Sequence, residues 1–406
     1  MTSTPRRRLL SGLGVFSLVT ALLGAGTYVS LTALAPLAPV AAQVIVAPVV
    51  DTPDPPVAFP GYGGSAVTAI GYPDVVLTSG SEGPMQLASI TKVITTLVVL
   101  EAKPLATGES GPSIRFGSWD VARYRYHLDH NGSTEPVWNG LQLTQRETLE
   151  TVLLSSANNY AESLAVWAFG SIDAFVARAN TWLADNGMPS THVVEPSGLD
   201  ARNVSTTVDL LTLARLALAN ATVAELVAQT DSRVTGIGAI ENSNRLLGRD
   251  GINGIKTGTL DYHNLLFSAD LELGEHTVTI VGSVMGAISR EVRDASVSLL
   301  VQSVRDGFEP RELVRAGTVV GTYETVWGQR ADAVTATGAS VLAWKGSDVT
   351  SAIVLDDLQI GEPRRLVGQI EYRIGQRIVT VPVVLDGELD DPGVWWRLTN
   401  PELLLP

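Results

Sequence analysis

Apolar and polar positions give this chain four successive textures. From Leu9 to Val50 there is no charge, and the dense apolar part of that stretch runs to about Ala35. Roughly 26 apolar residues exceed a usual secretory h-region and are enough to cross a bilayer. Seven prolines from Pro36 to Pro60 then predict an extended, poorly ordered spacer. From about Gly61 alternation begins, and Ala66 to Ile70 and Val75 to Leu77 read as early strands. Val93 to Leu100 is an unbroken apolar run behind Ala88-Ser89-Ile90-Thr91-Lys92, so it reads as a buried helix with Ser89 at its mouth. The segment Arg115 to Trp138 is rich in charge and aromatics and reads as irregular. Glu147 to Leu154 is amphipathic, breaks at Ser155-Ser156-Ala157-Asn158, and a helical pattern resumes at Tyr160. Asn264 to Leu273 and His276 to Ala287 predict a hairpin about Gly274-Glu275, with Ile255 to Thr259 as a strand edge. Past Phe308, short alternating segments between Gly- and Asp-bearing turns read as a small all-β sandwich of about 95 residues.

Composition narrows the setting. The 406 residues leave room for two ordinary domains and a sizeable core. The formal charge is −14, which argues against a nucleic-acid partner and leaves no basic patch for anionic lipid. There is no cysteine, which excludes disulfides, thiolate catalysis and cysteine-ligated metal. Arg6-Arg7-Arg8 before the apolar stretch form an export signal, with the basic end inside. Val40-Ala41-Ala42 suits a signal peptidase, so residues 1–42 read either as a cleaved signal peptide or as an uncleaved membrane anchor. Either way the protein is expected to act outside the cytoplasmic membrane, secreted or anchored.

Three short stretches carry candidate chemistry. Ser89 and Lys92 are three apart and share a helix face, close enough to touch. A serine becomes a nucleophile when a base takes its proton, and a lysine serves as that base only when neutral, a state that burial and a second cation favour. Taken alone, Ser-x-x-Lys is more often an N-cap serine beside a snorkelling lysine. Here the 28 basic residues divide into four lysines and 24 arginines, so each lysine calls for a reason. The break between helices would push Ser156 and Asn158 into a shared cavity, where a hydroxyl relays protons and an amide holds a carbonyl. Ser-x-Asn by itself is also ordinary turn chemistry. Lys256, Thr257 and Thr259 on a strand edge could bind a carboxylate, with Gly258 letting a ligand backbone approach, or could be a solvated hairpin end. His127-x-x-His130 lacks a third ligand at recognisable spacing, and His192, His263 and His276 form no metal-binding array. No metal site is expected.

Ser-x-x-Lys, Ser-x-Asn and Lys-Thr-Gly in this order are the set that marks penicillin-binding proteins and class A β-lactamases. Further stretches extend the likeness: Leu153-Leu154 before the second motif, Glu195-Pro196-Ser197-Gly198-Leu199-Asp200, Ser205-Thr206-Thr207-Val208-Asp209-Leu210, and Asn242-Ser243-Asn244-Arg245-Leu246-Leu247. Over roughly residues 60 to 305 the chain resembles the low-molecular-weight penicillin-binding proteins, the serine D-alanyl-D-alanine carboxypeptidases. The resemblance implies an α+β fold, a β-lactamase/transpeptidase-like domain with an antiparallel sheet flanked by helices, followed by a small all-β C-terminal domain. The expected division is 1–42 signal or anchor, 43–60 proline-rich linker, 61–307 catalytic domain and 308–406 C-terminal domain.

The same resemblance implies the chemistry. Ser89 would attack the carbonyl between the last two D-alanines of a peptidoglycan stem peptide, with Lys92 taking its proton, held neutral partly by the charge of Lys256. Ser156 would pass a proton to the leaving D-alanine, and Asn158 would orient Lys92 and the substrate amide. The backbone N–H groups of Ser89 and Thr259 would form the oxyanion hole, and Lys256, Thr257 and Thr259 would hold the terminal carboxylate. β-Lactams would trap Ser89 covalently, and no metal or organic cofactor is implied. Three departures stand out: Asn159-Tyr160 where the family often has Asp-Ala, Ser197 where some members have histidine, and a long Arg115 to Trp138 segment. Endopeptidase activity on cross-links uses the same residues. A β-lactamase would need a carboxylate loop that Glu195 to Leu199 does not match, and a non-catalytic wall-binding scaffold would be free to lose Lys92 or Lys256. Trp395-Trp396 reads as core aromatics rather than a binding platform. The tail from Asn400 to Pro406 is too short for a membrane-binding helix.

Overall fold

The computed structural model describes residues 5–45, 53–361 and 365–404. Residues 46–52 of the expected linker, and the last two of the tail, lie outside the described residues. The chain divides into two compact units. One runs from Thr52 to Glu309 and takes in Leu342–Ser347; the other joins Pro310–Val341 and Asp348–Pro406 to the N-terminal segment.

In the first unit, β2 (Gly64–Ala69), β3 (Tyr72–Gly80), β4 (Ile252–Thr259), β5 (His263–Leu273) and β6 (His276–Ala287) form an antiparallel sheet. Its order is β4-β5-β6-β2-β3, so β4 is an edge. β5 and β6 read as nearly continuous apolar runs because both sheet faces are covered. Leu265, Phe267, Ile280 and Val284 face a helix spanning Arg290–Gly307, packing on its Val297, Leu300, Val301 and Val304. Leu266, Val281 and Met285 turn to the opposite face and join a larger helical core. At the centre of that core is α2 (Thr91–Ala102), whose residues from Thr91 to Leu100 are all buried. A helix apolar all round belongs inside a layer of other helices, which explains the unbroken run Val93 to Leu100.

The segment Arg115 to Trp138 is not irregular: Ser118–Asp129 is a helix, α3. Asp120 starts it by accepting the Gly117 N–H at 2.7 Å. Its inward side is built from Val121, Tyr124 and His127 at a three-residue spacing, packed on α5 (Asn158–Phe169). A buried face made of one aliphatic, one phenol and one imidazole carries little hydrophobic periodicity, so the pattern hides the helix. Between them, α4 (Gln145–Leu153) begins in a capping box: Thr144 Oγ1 accepts the Glu147 N–H at 3.1 Å and Glu147 accepts the Thr144 N–H at 2.8 Å. Such a cap contributes about 1 kcal/mol.

In the second unit, α1 (Pro5–Ala33) leads to β1 (Ala42–Val44). With β7 (Val319–Glu324), β8 (Arg330–Thr335), β9 (Val349–Leu355), β10 (Leu366–Ile374) and β11 (Arg377–Asp386) it forms a six-stranded antiparallel sheet ordered β1-β7-β8-β11-β10-β9. Part of the stretch that reads as signal and spacer is therefore an edge strand, with Ala42 opposite Tyr323 and Val44 opposite Gly321. A short helix, Gly393–Thr399, follows. It splits the tryptophan pair that the sequence assigns to the core. Trp396 is half-buried, its ring centroid 5.4 Å from that of Trp327 in an edge-on contact, whereas Trp395 is exposed. Successive helical residues point about 100° apart, so both cannot face inward from one turn.

Candidate active site

The site is built on a turn pressed between two glycines. Ala88–Ile90 forms a single tight helical turn ahead of α2, with Ala88 at φ +48°. On one side Gly258 of β4 lies so close that a Cβ there would come 2.6 Å from the Leu87 carbonyl oxygen and 3.3 Å from Ala88 Cβ. Gly258 is thus needed for the protein's own turn to approach the strand edge, a reason that sequence alone did not supply. On the other side Gly198, at φ +84°, abuts the Ala88 carbonyl. The turn leaves Ser89 half-buried and reachable while Ala88, Ile90 and Lys92 are buried.

Lys92 Nζ is 2.9 Å from Ser89 Oγ, 2.6 Å from Asn158 Oδ1 and 2.6 Å from the Ser197 carbonyl oxygen. Burial lowers the Lys92 pKa to about 7, against the opposing pull of Glu195 and then Glu162. A neutral amine has two hydrogens and one lone pair. Asn158 Oδ1 and the Ser197 carbonyl can only accept, so they take the two hydrogens and leave the lone pair towards Ser89. Ser197 contributes through its backbone, so this contact to the amine does not depend on its side chain.

Asn158 sits at the start of α5, where its own N–H donates to the Ser133 carbonyl at 2.8 Å. Ser156 occupies the bend just before it, buried, at φ +66°. The unusual pair Asn159-Tyr160 grips the segment after α3: Asn159 Nδ2 donates to the Glu135 carbonyl at 3.0 Å, and Tyr160 OH donates to the Pro136 carbonyl at 2.7 Å. Asn159 and Tyr160 thus hold the segment that follows α3.

Lys256 projects from β4, fully buried, and its Nζ donates to Ser243 Oγ at 3.3 Å. Ser243 Oγ is in turn 2.7 Å from Thr257 Oγ1. Burial pushes the Lys256 pKa down, followed by the nearby charges of Lys92 and Arg293. Thr259 is exposed at the strand end, with Oγ1 3.1 Å from His263 Nδ1. Ser89, Lys92 and Asn158 therefore form one directly bonded group. Lys256 and Thr257 form a second through Ser243, with Gly258 joining the two at the nucleophile turn.

The loop 194–203 supports the first group. Glu195 accepts the N–H groups of Ser197 at 2.6 Å and Gly198 at 2.5 Å, and Asn203 Nδ2 at 2.9 Å. Thr95 Oγ1 donates to the Pro196 carbonyl at 2.7 Å and ties the loop to α2. Next to it lies a cavity of about 750 Å³, lined by Trp119, Arg123 and Tyr126 of α3, by Glu162, and by Leu199 and Asp200. Glu162 is buried and paired with Arg123, whose Nη2 donates at 2.8 Å; the His127 ring lies 3.2 Å away. His130 stacks on Tyr126, whose ring also stands edge-on to His127. Among the described residues no cluster of three His, Asp or Glu side chains is gathered for a metal. Ser243, Glu195, Glu162 and the Ser197 carbonyl were not singled out by sequence; only the Asn242-Ser243-Asn244 and Glu195-Pro196-Ser197 stretches flagged their neighbourhoods.

Known proteins resemble this chain. A family model described as D-alanyl-D-alanine carboxypeptidase matches residues 73–288. The D-alanyl-D-alanine carboxypeptidase DacF of Bacillus subtilis is 24% identical over 331 residues, covering 78% of this chain and 79% of that protein. A D-alanyl-D-alanine endopeptidase of Pseudomonas aeruginosa is 32% identical over 158 residues, covering 37% of this chain and 46% of its own. Penicillin binding protein 5 from Haemophilus influenzae superposes with a TM-score of 0.56 at 17% identity, covering 86% of this chain and all of the other, and shows the common fold. The chain belongs to the D-alanyl-D-alanine carboxypeptidase family of serine peptidases.

Proposed function

We propose that this chain removes the terminal D-alanine from peptidoglycan stem peptides through an acyl-enzyme on Ser89. The observation that carries the reading is the Lys92 amine, buried and with both hydrogens of its neutral form directed to acceptors other than Ser89. Ser89 gives its proton to Lys92 as Oγ attacks the carbonyl of the penultimate D-alanine. The negative oxygen that forms is met by the N–H groups of Ser89 and Thr259. The C–N bond then breaks, and the leaving amine takes a proton from Lys92 by way of Ser156. Water adds to the ester, its proton returns through Lys92, and the shortened peptide leaves as a carboxylate with Ser89 restored. Lys256, Thr257 and Thr259 hold the terminal carboxylate, and Asn158 steadies Lys92 and the substrate amide. A β-lactam offers the same carboxylate and a strained amide, so it acylates Ser89 without a leaving group that departs.

Glu195 weighs against β-lactamase activity, since both its oxygens accept hydrogen bonds from its own loop rather than standing free to activate water. Endopeptidase action on cross-links remains a second reading, favoured by the partial match to an endopeptidase. Release of free D-alanine from a stem pentapeptide, set beside cleavage of a cross-linked dimer, separates the two; release by wild type but not by Lys92→Met supports the main reading. A Lys92→Met variant that releases D-alanine at the wild-type rate contradicts it.

We also propose that the protein works outside the cytoplasmic membrane with α1 retained as its anchor. Leu13–Ala33 is long and apolar enough to cross a bilayer. Its distal end is tied into the C-terminal unit: Tyr28 OH donates to the Leu398 carbonyl at 2.7 Å, and Arg397 donates to the Ala35 carbonyl. Val40 and Leu358 exchange two backbone hydrogen bonds, at 2.9 and 3.0 Å. Cleavage after Ala42 would strip all of these, which supports an anchor over a removed signal.

A further inference from the structure

Resting on the reading of α1 as a retained anchor, we infer that the helix Gly393–Thr399 and its flanks lie in the outer membrane–water interface, with Trp395 seated among lipid headgroups. The 21 residues Leu13–Ala33 rise 1.5 Å each and so match a hydrocarbon core of about 30 Å. With Arg6, Arg7 and Arg8 at the inner side, the Tyr28 to Ala35 end emerges at the outer headgroups. Residues Leu13 to Leu31 are exposed throughout, whereas Thr32 and Ala35 are buried within the C-terminal unit. The change from bare helix to docked helix thus falls at the level where a bilayer ends.

The Gly393–Thr399 helix holds that level. Its Leu398 carbonyl receives Tyr28 and its Arg397 reaches Ala35. Around these fixed contacts, large apolar side chains face outward: Leu34 is 83% exposed, Trp395 79%, Val394 55% and Leu403 49%. A tryptophan left so open beside a transmembrane exit suits the interface, where an indole buries its rings and keeps its N–H wet. Charge attraction does not explain the surface, because the chain is acidic and Arg397, the basic group of this helix, is paired with Asp391 at 2.5 Å. The partner is therefore the apolar and zwitterionic part of the interface rather than anionic lipid alone. The C-terminal unit is then held on the bilayer at two points, a span and a tryptophan.

The chain has no native cysteine, which allows single-site labelling. Trp395→Cys, Leu403→Cys and Leu23→Cys variants of the full-length chain are labelled with an environment-sensitive fluorophore and reconstituted in phosphatidylethanolamine–phosphatidylglycerol vesicles. Lipids with a nitroxide at the headgroup or deep in the acyl chain serve as quenchers. The expected result is loss of the Leu23 signal to the deep quencher and loss of the Trp395 and Leu403 signals to the headgroup quencher. A quenched Leu23 label with unquenched Trp395 and Leu403 labels overturns the inference and leaves the anchor standing. A Leu23 label untouched by lipid overturns the anchor itself, and the inference with it. Blue-shifted emission at Trp395 without lipid quenching means that protein covers the site, which also overturns the inference.

Discussion

Gly198 is pressed against Ala88: a Cβ on Gly198 would overlap the Ala88 carbonyl and stand 3.0 Å from Ser89 N. Both residues have positive φ, so neither strand of this contact can relax easily. The loop carrying the Lys92 acceptor and the turn carrying the nucleophile are thus braced against each other. Gly198→Ala is expected to shift the Ser89 turn and lower the rate of benzylpenicillin acylation by about 100-fold, the order of loss for a displacement near 1 Å. Stopped-flow acylation with circular dichroism as a folding check reads this. Acylation within twofold of wild type would show that the brace does not position Ser89.

The acylation rate should rise with pH through a midpoint near the Lys92 pKa of about 7, because only the neutral amine accepts the Ser89 proton. Glu162 favours the charged amine, so Glu162→Gln should move that limb to lower pH. The variant also frees Arg123 and His127, so a shift in pH profile, rather than a loss of rate, is the reading that identifies the electrostatic effect. A profile with no limb between pH 5 and 9 would remove Lys92 from the role of base.

Burying Lys92 also links stability to pH. Its folded pKa is below its unfolded one, so the folded state binds fewer protons between about 7 and the ordinary lysine value. The cost of burial is complete below the folded pKa, falls as pH rises between the two values, and is gone above the unfolded one. Replacing Lys92 by Met should therefore change the thermal midpoint more favourably at pH 6 than at pH 9.5. An equal difference at both pH values would mean that Lys92 stays charged in the folded protein.

Ser243 joins Lys256 to Thr257, and Ser243→Ala removes both contacts while leaving the lysine buried. One such bond contributes about 1 kcal/mol, so a fall of roughly fivefold in acylation efficiency is expected. It should appear mainly in the apparent binding of carboxylate-bearing ligands. Equal loss for substrates with an amidated C-terminus would point to general damage instead.

Asn159→Ala should loosen residues 131–138, since it deletes the bonds to Glu135 at 3.3 and 3.0 Å. Faster hydrogen exchange in that segment is the expected signature, with about 1–2 kcal/mol lost from stability. Unchanged protection would assign the segment's order to Tyr160 and α3 alone.

What could be read from the sequence was what is written locally. Ser89 and Lys92 lie one helical turn apart, Ser156 and Asn158 mark a break between two amphipathic runs, and β5 and β6 flank a plain Gly274-Glu275 turn, so spacing alone suggested each. Contacts made across the chain left weaker traces. Nothing near Ser243 announces that it will meet Lys256, and the Ser197 carbonyl has no side-chain signature at all. α3 escaped notice because its buried face is polar and aromatic. β1 escaped because three residues among prolines carry no alternation, and only the exposed edge of β7 gives them a partner. At Gly258 the sequence suggests room for a ligand backbone, and it carries no trace of the turn at Leu87 and Ala88 that packs against it.

The most direct test of Ser89 as nucleophile is the intact mass of the full-length protein in detergent after incubation with benzylpenicillin, beside folded Ser89→Ala. The expected result is a lasting increase by one penicilloyl group on wild type and none on the variant. The same adduct on Ser89→Ala would place the nucleophile elsewhere. No adduct and no penicillin turnover from folded wild type would contradict acyl-enzyme chemistry at this site.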